Sequence, residues 1–276
     1  MNTDVSNVDP VKQFFDERGD RIRSYPNTVL AQNAASFLEA SIPAKYSYNY
    51  TWLGRPIIQY PQDIVAVQEL IWQIQPDLII ETGIAHGGSL ILSASMLALI
   101  DYAEAVKAGK SLNPDASRRC VLGIDIDIRA HNRAAIEAHP FSHFIKMIEG
   151  SSVDPEIIRQ VSNYTQDYSR ILVCLDSNHT HDHVLAELEA YAPLTSRDSY
   201  CVVFDTLVED FPNHLFSDRP WGKGNNPKTA VWEYLRRLAD EGRKGMDGQP
   251  LRFEIDKLIE TKLLVTVAPD GYLKRI

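Results

Sequence analysis

The stretch Leu78-Ile-Ile-Glu-Thr-Gly-Ile-Ala-His-Gly-Gly-Ser89 decides the fold of this chain. It begins as an apolar run, and Gly83, Gly87 and Gly88 let the backbone turn tightly and approach a ligand closely. A helix is expected from residue 88 to about residue 106, and its first N–H groups would point at that ligand. The stretch therefore predicts a buried strand, a tight loop and a helix whose N-terminus faces a binding site.

The alternation of strand and helix continues along the chain. Further apolar strands are expected at residues 119–127, 144–150, 170–176 and 200–206, with helices at 132–138, from 155, at 183–191 and at 228–239. Continuous rather than alternating apolar runs indicate burial on both faces and hence a parallel sheet. Five strand–helix units with right-handed crossovers predict a doubly wound α/β fold.

The two ends of the chain depart from this alternation. Residues 253–258 and 262–275 are interpreted as two strands with no helix between them, which predicts a hairpin-like antiparallel ending. At the other end, residues 11–18 and 28–40 have helical spacing, and the aromatic segment 46–61 is expected to be an ordered loop lying on the main domain. Asp63 is expected to cap a helix that runs to about Ile74. We therefore divide the chain into an N-terminal helical extension with a lid segment, 1–60, and a ligand-binding domain, 61–276.

The charge of the chain restricts its partners. Its 28 basic and 37 acidic residues give a net charge of -9, and it has no basic run. Because phosphate backbones and anionic membranes bind clustered Lys and Arg, neither nucleic acid nor a membrane surface is an expected partner. The polar N-terminus and the lack of an apolar stretch of about 18 residues predict no membrane span and a cytoplasmic location. Cys120, Cys174 and Cys201 lie in strand-like runs and are expected to be buried, unreactive thiols.

Polar residues at the carboxyl ends of the strands are the candidate ligand-binding residues, because ligands of such sheets bind there. The first loop places an acid, Glu81, before its glycines, which suits a cationic group such as the amino group of a methionine moiety and would repel a pyrophosphate. His86 and Ser89 complete this loop, together with the three glycines. The alternative is a tight turn that binds nothing.

The next two strand ends suggest contacts to a nucleoside. Asp125 directly follows an apolar run, where an acid commonly accepts hydrogen bonds from ribose hydroxyls, and Asp127 is its solvated neighbour or a helix cap. Ser151 and Ser152 follow the third strand, where an adenine edge would lie. Alternatively, these two serines cap the helix that begins near Asp154.

Residues at the ends of the fourth and fifth strands suggest a metal site and a general base. Asp176 and Asp205 would face each other across the site, and such hard oxygen ligands suit Mg²⁺ or Ca²⁺, which could lower the pKa of a bound hydroxyl. His179, in the turn over the site, is the candidate general base, with His86 as a second candidate. His181 begins the following helix and is expected to cap it or to face solvent, as is His183.

At these residues the chain resembles the cephalosporin hydroxylase/rhamnosyl O-methyltransferase family, which is similar to the macrolide-sugar O-methyltransferases. The motifs that carry the resemblance are Glu81-Thr-Gly-Ile-Ala-His-Gly-Gly-Ser89, Gly123-Ile-Asp-Ile-Asp127, Leu175-Asp-Ser-Asn-His-Thr-His181, Val203-Phe-Asp-Thr206 and Arg219-Pro-Trp-Gly-Lys-Gly-Asn-Asn-Pro227. The family implies a Rossmann-like class I methyltransferase fold, with a seven-stranded, mostly parallel sheet and an antiparallel C-terminal edge strand. It also implies an S-adenosylmethionine-dependent O-methyltransferase that acts on a hydroxyl of a sugar or a glycosylated small molecule.

The resemblance also implies roles for individual residues. Glu81 and Gly83 would hold the methionine end of S-adenosylmethionine, and Asp125 would hold its ribose. Asp176 and Asp205 would hold Mg²⁺, and His179 would be the base. Asp176 is also expected to contact the cofactor and to take part in catalysis. Metal-dependent relatives carry Glu-Asp where this chain carries Phe204-Asp205. Either Thr206 or water would replace the lost ligand, or the metal is dispensable. Segments 52–60 and 219–227 resemble substrate-covering loops. Packing between the subunits of an expected homo-oligomer is their alternative role.

Two other functions remain open at this point. An iron- and 2-oxoglutarate-dependent hydroxylase would need two histidines and a carboxylate, which His179, His181 and Asp205 could supply. Such enzymes normally have a double-stranded β-helix, which the strand–helix alternation excludes. A non-catalytic cofactor-binding protein is favoured only by the loss of the acid at Phe204.

Overall fold

The computed structural model describes residues 9–276, so part of the polar N-terminal stretch, residues 1–8, lies outside the described residues. The helices are α1 Pro10–Arg23, α2 Val29–Ser41, α3 Pro61–Ile74, α4 Gly88–Lys107, α5 Ala130–Glu137, α6 Pro155–Tyr164, α7 His181–Tyr191, α8 Pro227–Glu241 and α9 Lys257–Leu263. The strands are β1 Tyr50–Trp52, β2 Arg55–Ile57, β3 Leu78–Thr82, β4 Cys120–Asp125, β5 Ile145–Glu149, β6 Ile171–Leu175, β7 Tyr200–Val203, β8 Phe253–Ile255 and β9 Tyr272–Arg275.

The main sheet is the seven-stranded, mostly parallel sheet that was expected. Within the described chain it has seven strands in the order β5-β4-β3-β6-β7-β9-β8. Strands β3 to β7 are parallel to their neighbours, whereas β9 runs antiparallel to both β7 and β8. The predicted fold class is confirmed, and the reversed C-terminal strand lies one position inside the edge because β8 pairs outside it.

Each central strand contributes to two cores, which explains its continuous apolar sequence. Ile79 of β3 packs into one core with helices α3 and α4, while Ile80 packs into the other with α7 and α8. Burial on both faces removes water from both sides of every central strand, as in a doubly wound sheet. The three cysteines lie on β4, β6 and β7, and they are buried and unpaired as expected.

Two expectations for helix boundaries are wrong. The predicted strand at 262–275 is the end of helix α9, then an irregular segment with bends and a turn, and then β9, so a helix does separate the last two strands. Asp256 caps α9 by accepting hydrogen bonds from the backbone of its first turn. Asp63 does not cap α3, which already begins at Pro61. Its buried carboxylate instead accepts hydrogen bonds from Thr266, the Val267 amide and Tyr272.

The aromatic segment before α3 is more regular than the expected loop. It forms a 3-10 helix, Tyr46–Asn49, and then a two-stranded antiparallel hairpin, β1–β2, which we call the strap. The strap packs on α4, where the Trp52 indole donates a hydrogen bond of 3.0 Å to Ser95. The chain division at residue 60 stays a prediction, although Ile57 and Tyr60 belong to the core of the main sheet.

Helix α4 qualifies the expectation that no apolar stretch has the length of a membrane span. It is 20 residues long, and a window of 18 residues within it has a mean hydropathy of 1.5, which is apolar enough for such a span. Half of that window is buried within the protein, because α4 lies against the sheet and under the strap. This burial is the pattern of a core helix, which passes the same test.

Candidate active site

The parallel register brings the predicted polar residues to one edge of the sheet. Thr82 at the end of β3 is level with Ile124 on β4 and Leu175 on β6, and Leu175 is level with Val203 on β7. The residues that follow these positions, among them Asp125, Asp176 and Asp205, therefore emerge along the same edge.

The glycine loop needs glycine at two positions, where its backbone lies very close to the backbone of other segments. Gly83 has φ +88°, and a Cβ atom there would overlap the backbone oxygen of Asp176. A Cβ on Gly88 would overlap the Pro56 carbonyl of the strap. Gly87 is the N-cap of α4 and has no side chain to cap the first N–H groups. The loop therefore packs closely between β6 and the strap and presents a helix N-terminus.

A cavity of about 140 Å³ lies between this loop and the strap, and we call it the donor cavity. It is lined by Pro56, Ile57, Ile58, Gln59, Gly83, Ile84, Ala85, His86, Gly88, Ser89, Asp125, Asp176 and Ser177. The strap is fixed over it by Arg55, whose guanidinium donates 3.0 Å hydrogen bonds to the His86 carbonyl and to Asn132. Six residues predicted to bind the cofactor thus line one cavity, and the strap covers it.

Glu81 lies behind the loop and is 4% exposed. Burial raises the pKa of its carboxyl to about 7, although a hydrogen bond from Ser89 opposes this shift. A buried carboxylate with such a pKa is readily ionised by a nearby cation.

Asp125 is tied to the loop and lies in the wall of the donor cavity. Its carboxylate accepts hydrogen bonds from the amides of Ile84, at 2.7 Å, and Ala85, at 3.3 Å. Ser151 and Ser152 do not line the donor cavity. Their alternative role as helix caps is wrong, because Asp154 caps α6 through its own side chain.

The histidines that follow β6 contact different partners in the structure. His181 contacts Thr229 at 2.8 Å and Glu233 at 3.1 Å, so it joins α7 to α8 rather than facing solvent. His183 lies 3.1 Å from the Ser152 hydroxyl and 3.2 Å from that of Ser177.

His183 belongs to a buried network that the sequence analysis missed. Ser177 also donates a 2.6 Å hydrogen bond to Glu187, a fully buried acid of α7. Position alone gives no sign that Glu187 faces inward, because acids on helices usually face water.

Asp176, His179 and Asp205 form a cluster. One ligand atom from each lies within 4.8 Å of the others, and His179 Nε2 is 3.3 Å from Asp205 Oδ2. Burial and the charges of Asp205 and Glu81 raise the pKa of Asp176 well above its usual range. A divalent cation would remove this repulsion, and the two carboxylates supply the hard oxygen ligands that suit Mg²⁺. The residues present therefore fit a metal.

The two residues beside Asp205 supply no ligand to the cluster. Phe204 is buried in the core, so nothing replaces the acid of metal-dependent relatives at this position. Thr206, expected as a substitute ligand, is fully buried and donates a 2.5 Å hydrogen bond to the Pro269 carbonyl. We therefore leave Thr206 out of the site.

A second cavity of about 400 Å³ opens on the other side of the cluster, and we call it the acceptor cavity. Its walls include His179, Asp205, Tyr48, Tyr60, Leu207, Phe216, Arg219 and Trp221. The Trp221 ring meets His179 edge-on at 4.7 Å. Glu209 accepts hydrogen bonds from the Gly224 amide and from Asn226, so it holds the end of this covering loop. Aromatic and polar walls of this kind suit a sugar.

The predicted covering segment 52–60 reaches both cavities, because Tyr60 at its end lines the acceptor cavity. The strap covers the donor cavity, and Trp52 packs on α4 instead of facing an acceptor. Arg219 and Trp221 line the acceptor cavity.

The fold and the site define a class of protein. A doubly wound sheet with one reversed strand, a glycine loop after its first parallel strand and an acid after the next are the features of a Rossmann-like class I methyltransferase. A family model described as Rhamnosyl O-methyltransferase/CmcI matches residues 44–276. The chain belongs to this family and is an O-methyltransferase, which confirms the resemblance seen in its motifs.

Relatives and a solved structure agree with this assignment. The chain is 29% identical over 226 residues to the rhamnosyl O-methyltransferase of Mycobacterium tuberculosis, covering 82% of this chain and 78% of that protein. It is 28% identical to the protein of the same name from Mycobacterium leprae, covering 82% of each chain. A solved structure of CmcI, named as an Mg-SAM form, aligns with a TM-score of 0.52 at 16% identity, covering 83% of this chain and 77% of that one, and this likeness supports the fold.

Proposed function

We propose that this protein transfers a methyl group from S-adenosylmethionine to a hydroxyl of a sugar or a glycosylated small molecule, with the help of a divalent cation. The observation that carries the proposal is the position of the cluster between two cavities. Asp176 lines the donor cavity, whereas His179 and Asp205 line the acceptor cavity. A methyl donor and an acceptor hydroxyl bound in these cavities would meet at the cluster.

The roles of the side chains follow from these positions. S-adenosylmethionine supplies a methyl group already activated on sulfur, so the protein must align an acceptor oxygen and remove its proton. His179 takes that proton on its imidazole, and Asp205, whose Oδ2 lies 3.3 Å from Nε2, stabilises the imidazolium. Asp176 and Asp205 would hold Mg²⁺, which supplies a positive charge that lowers the pKa of the acceptor hydroxyl. Glu81 would bind the ammonium group of the cofactor, and Asp125 its ribose.

We infer the chemical class of the acceptor from the family and from the acceptor cavity together. The mycobacterial relatives are named rhamnosyl O-methyltransferases, and the acceptor cavity has the size and the aromatic walls for a deoxysugar. The decisive assay incubates the protein with S-adenosylmethionine, Mg²⁺ and rhamnosyl or other deoxysugar acceptors and detects the methylated product by mass spectrometry. Binding of S-adenosylmethionine without transfer to any of these sugars would contradict the acceptor class.

The alternative functions are not favoured by the geometry. The three ligands proposed for an iron-dependent hydroxylase do not assemble, because His181 is engaged by Thr229 and Glu233. The intact cluster of Asp176, His179 and Asp205 also argues against a non-catalytic protein.

A homo-oligomer in the cytoplasm stays part of the proposal. Light scattering on the purified protein measures the oligomeric state, and a monomer at all concentrations would contradict it. Cell fractionation tests the location.

The affinity for S-adenosylmethionine is expected to depend on the ionisation of Glu81. Because the pKa of this carboxyl is about 7 in the free protein, it must lose its proton to bind an ammonium group. The Kd measured by calorimetry should therefore fall about tenfold per pH unit as the pH rises towards 7, and then level off. Glu81→Gln should weaken binding at least about 30-fold, since losing one partner of a buried charge pair costs about 2 kcal/mol or more.

Ser89→Ala is the matched control for this pH dependence. The Ser89 hydrogen bond lowers the pKa of Glu81, so its removal should move the inflection to higher pH without abolishing binding. A pH-independent Kd in the wild-type protein, or an unchanged inflection in Ser89→Ala, would contradict the role given to Glu81.

A further inference from the structure

Gln59 follows the strap and has one end of its side chain without a partner. The residue is 8% exposed, and its Nε2 donates a 3.2 Å hydrogen bond to Asp176 Oδ2. This bond fixes the orientation of the amide. Its carbonyl oxygen, Oε1, is buried and accepts no hydrogen bond from any residue in the described part of the chain. A buried carbonyl of this kind indicates that a donor is missing from the site.

The surroundings of Gln59 indicate what that donor is. Gln59 lines both the donor cavity and a smaller, apolar cavity behind it. Glu81 and Asp176 line the smaller cavity with it, so the carboxyls of two acids border the same cavity as the amide. Ionised carboxylates and the carbonyl oxygen of Gln59 all accept hydrogen bonds, so together they suit a cation with several N–H donors.

We propose that Gln59 Oε1 accepts a hydrogen bond from the ammonium group of the methionine moiety of S-adenosylmethionine. This assignment rests on the proposed function and adds a binding residue to it. The ammonium group has three N–H donors, and a single carboxylate on Glu81 leaves donors unmatched. Gln59 supplies a neutral acceptor, which adds no further negative charge beside the carboxyls of Glu81 and Asp176.

The position of Gln59 also ties the strap to the bound cofactor. The residue comes two positions after β2, and the preceding strap is held on the glycine loop by Arg55. Gln59 therefore joins two sites, since its nitrogen donates to the Asp176 carboxylate of the metal cluster and the residue lines the donor cavity.

The test compares two ligands by calorimetry at pH 8, where Glu81 is ionised. S-adenosylmethionine carries the ammonium group, and 5′-methylthioadenosine lacks the whole amino-acid part. Gln59→Leu should bind S-adenosylmethionine about 10- to 100-fold more weakly, as expected for a hydrogen bond to a charged group. Its affinity for 5′-methylthioadenosine should equal that of the wild type.

Gln62→Leu is the matched control, because Gln62 also has a buried carbonyl oxygen without a partner in the described chain but lines neither cavity. It should bind both ligands like the wild type. Equal loss of both ligands in Gln59→Leu, or no loss of S-adenosylmethionine, would overturn the assignment. If the leucine variant does not fold, Gln59→Met replaces it. A wild-type protein that fails to bind S-adenosylmethionine would instead contradict the proposed function.

Discussion

Replacing His179 with alanine is expected to lower kcat for methyl transfer by about 10²- to 10⁴-fold, the usual contribution of a general base. The reason is that His179 lines the acceptor cavity and its Nε2 lies 3.3 Å from a carboxylate that can stabilise its protonated form. The affinity for S-adenosylmethionine should not change, since His179 does not line the donor cavity. Initial rates at saturating cofactor, together with a calorimetric Kd, measure both quantities.

Two further measurements separate a base from a metal ligand at His179. If the residue is a base, added imidazole should restore part of the activity of His179→Ala, and the Kd for Mg²⁺ should stay within a few-fold of the wild type. A large loss of Mg²⁺ affinity without rescue by imidazole would identify a ligand instead. His86→Ala tests the second candidate, which lines the donor cavity, and a greater loss of kcat in this variant would transfer the role to His86.

Asp205→Asn is expected to abolish the activation by Mg²⁺ and to stabilise the metal-free protein at the same time. Removing one of two facing carboxylates should lower kcat by about 10²-fold or more, because metal polarisation contributes several kcal/mol. Asp205 also raises the pKa of Asp176. An acid whose pKa is raised on folding loses stability as the pH rises from its unfolded pKa through its folded pKa. Without Asp205 this loss is smaller, so the Tm without metal should rise at neutral pH.

Calorimetric unfolding with EDTA and with Mg²⁺ checks both parts of this prediction. In the wild type Mg²⁺ should raise the Tm, and in Asp205→Asn it should have no effect. Asp218→Asn is the control, because Asp218 lines the same acceptor cavity but its side chain is 81% exposed. A wild-type rate that is unaffected by EDTA, or an Asp205→Asn variant that still responds to Mg²⁺, would contradict the metal site.

The central sheet could be predicted from the sequence because its physical cause is local. Each of its parallel strands must be apolar on both faces, and each is followed by polar or glycine residues where it leaves the sheet, as at Thr82 and Gly83. The same rule placed Asp125, Asp176 and Asp205 at one edge of the sheet, since parallel strands end on the same side.

The C-terminal segment could not be predicted because its conformation depends on distant residues. Residues 265–268 have a mostly apolar, strand-like sequence, but they form an irregular segment with bends. Thr266 and the Val267 amide donate hydrogen bonds from it to the buried carboxylate of Asp63. The expectation that Asp63 caps α3 fails for the same reason, because the hydrogen-bond donors to its carboxylate lie about 200 positions away in sequence. Helix α9 has only seven residues, which is too short for its periodicity to stand out.

The inner polar residues of the site were missed for a similar reason. A single glutamine in an irregular segment has no pattern, and only the fold brings Gln59 to Asp176, 117 positions away. The lost acid at Phe204 was recognised from the family motif. The structure then showed that its neighbour Asp205 still reaches the cluster, with a backbone φ of 54°.

The way in which the loop over the acceptor cavity is fastened has a consequence for the evolution of this protein. Glu209 fastens the loop at Gly224 and Asn226, and Asn226 also caps helix α8 with a reciprocal hydrogen bond from Thr229. The residues between these anchors, including Arg219 and Trp221, contribute little to the sheet or its two cores. We therefore expect that exchanging this loop between homologues would change which sugar is methylated. The residues that bind the methyl donor lie outside the loop and would stay the same.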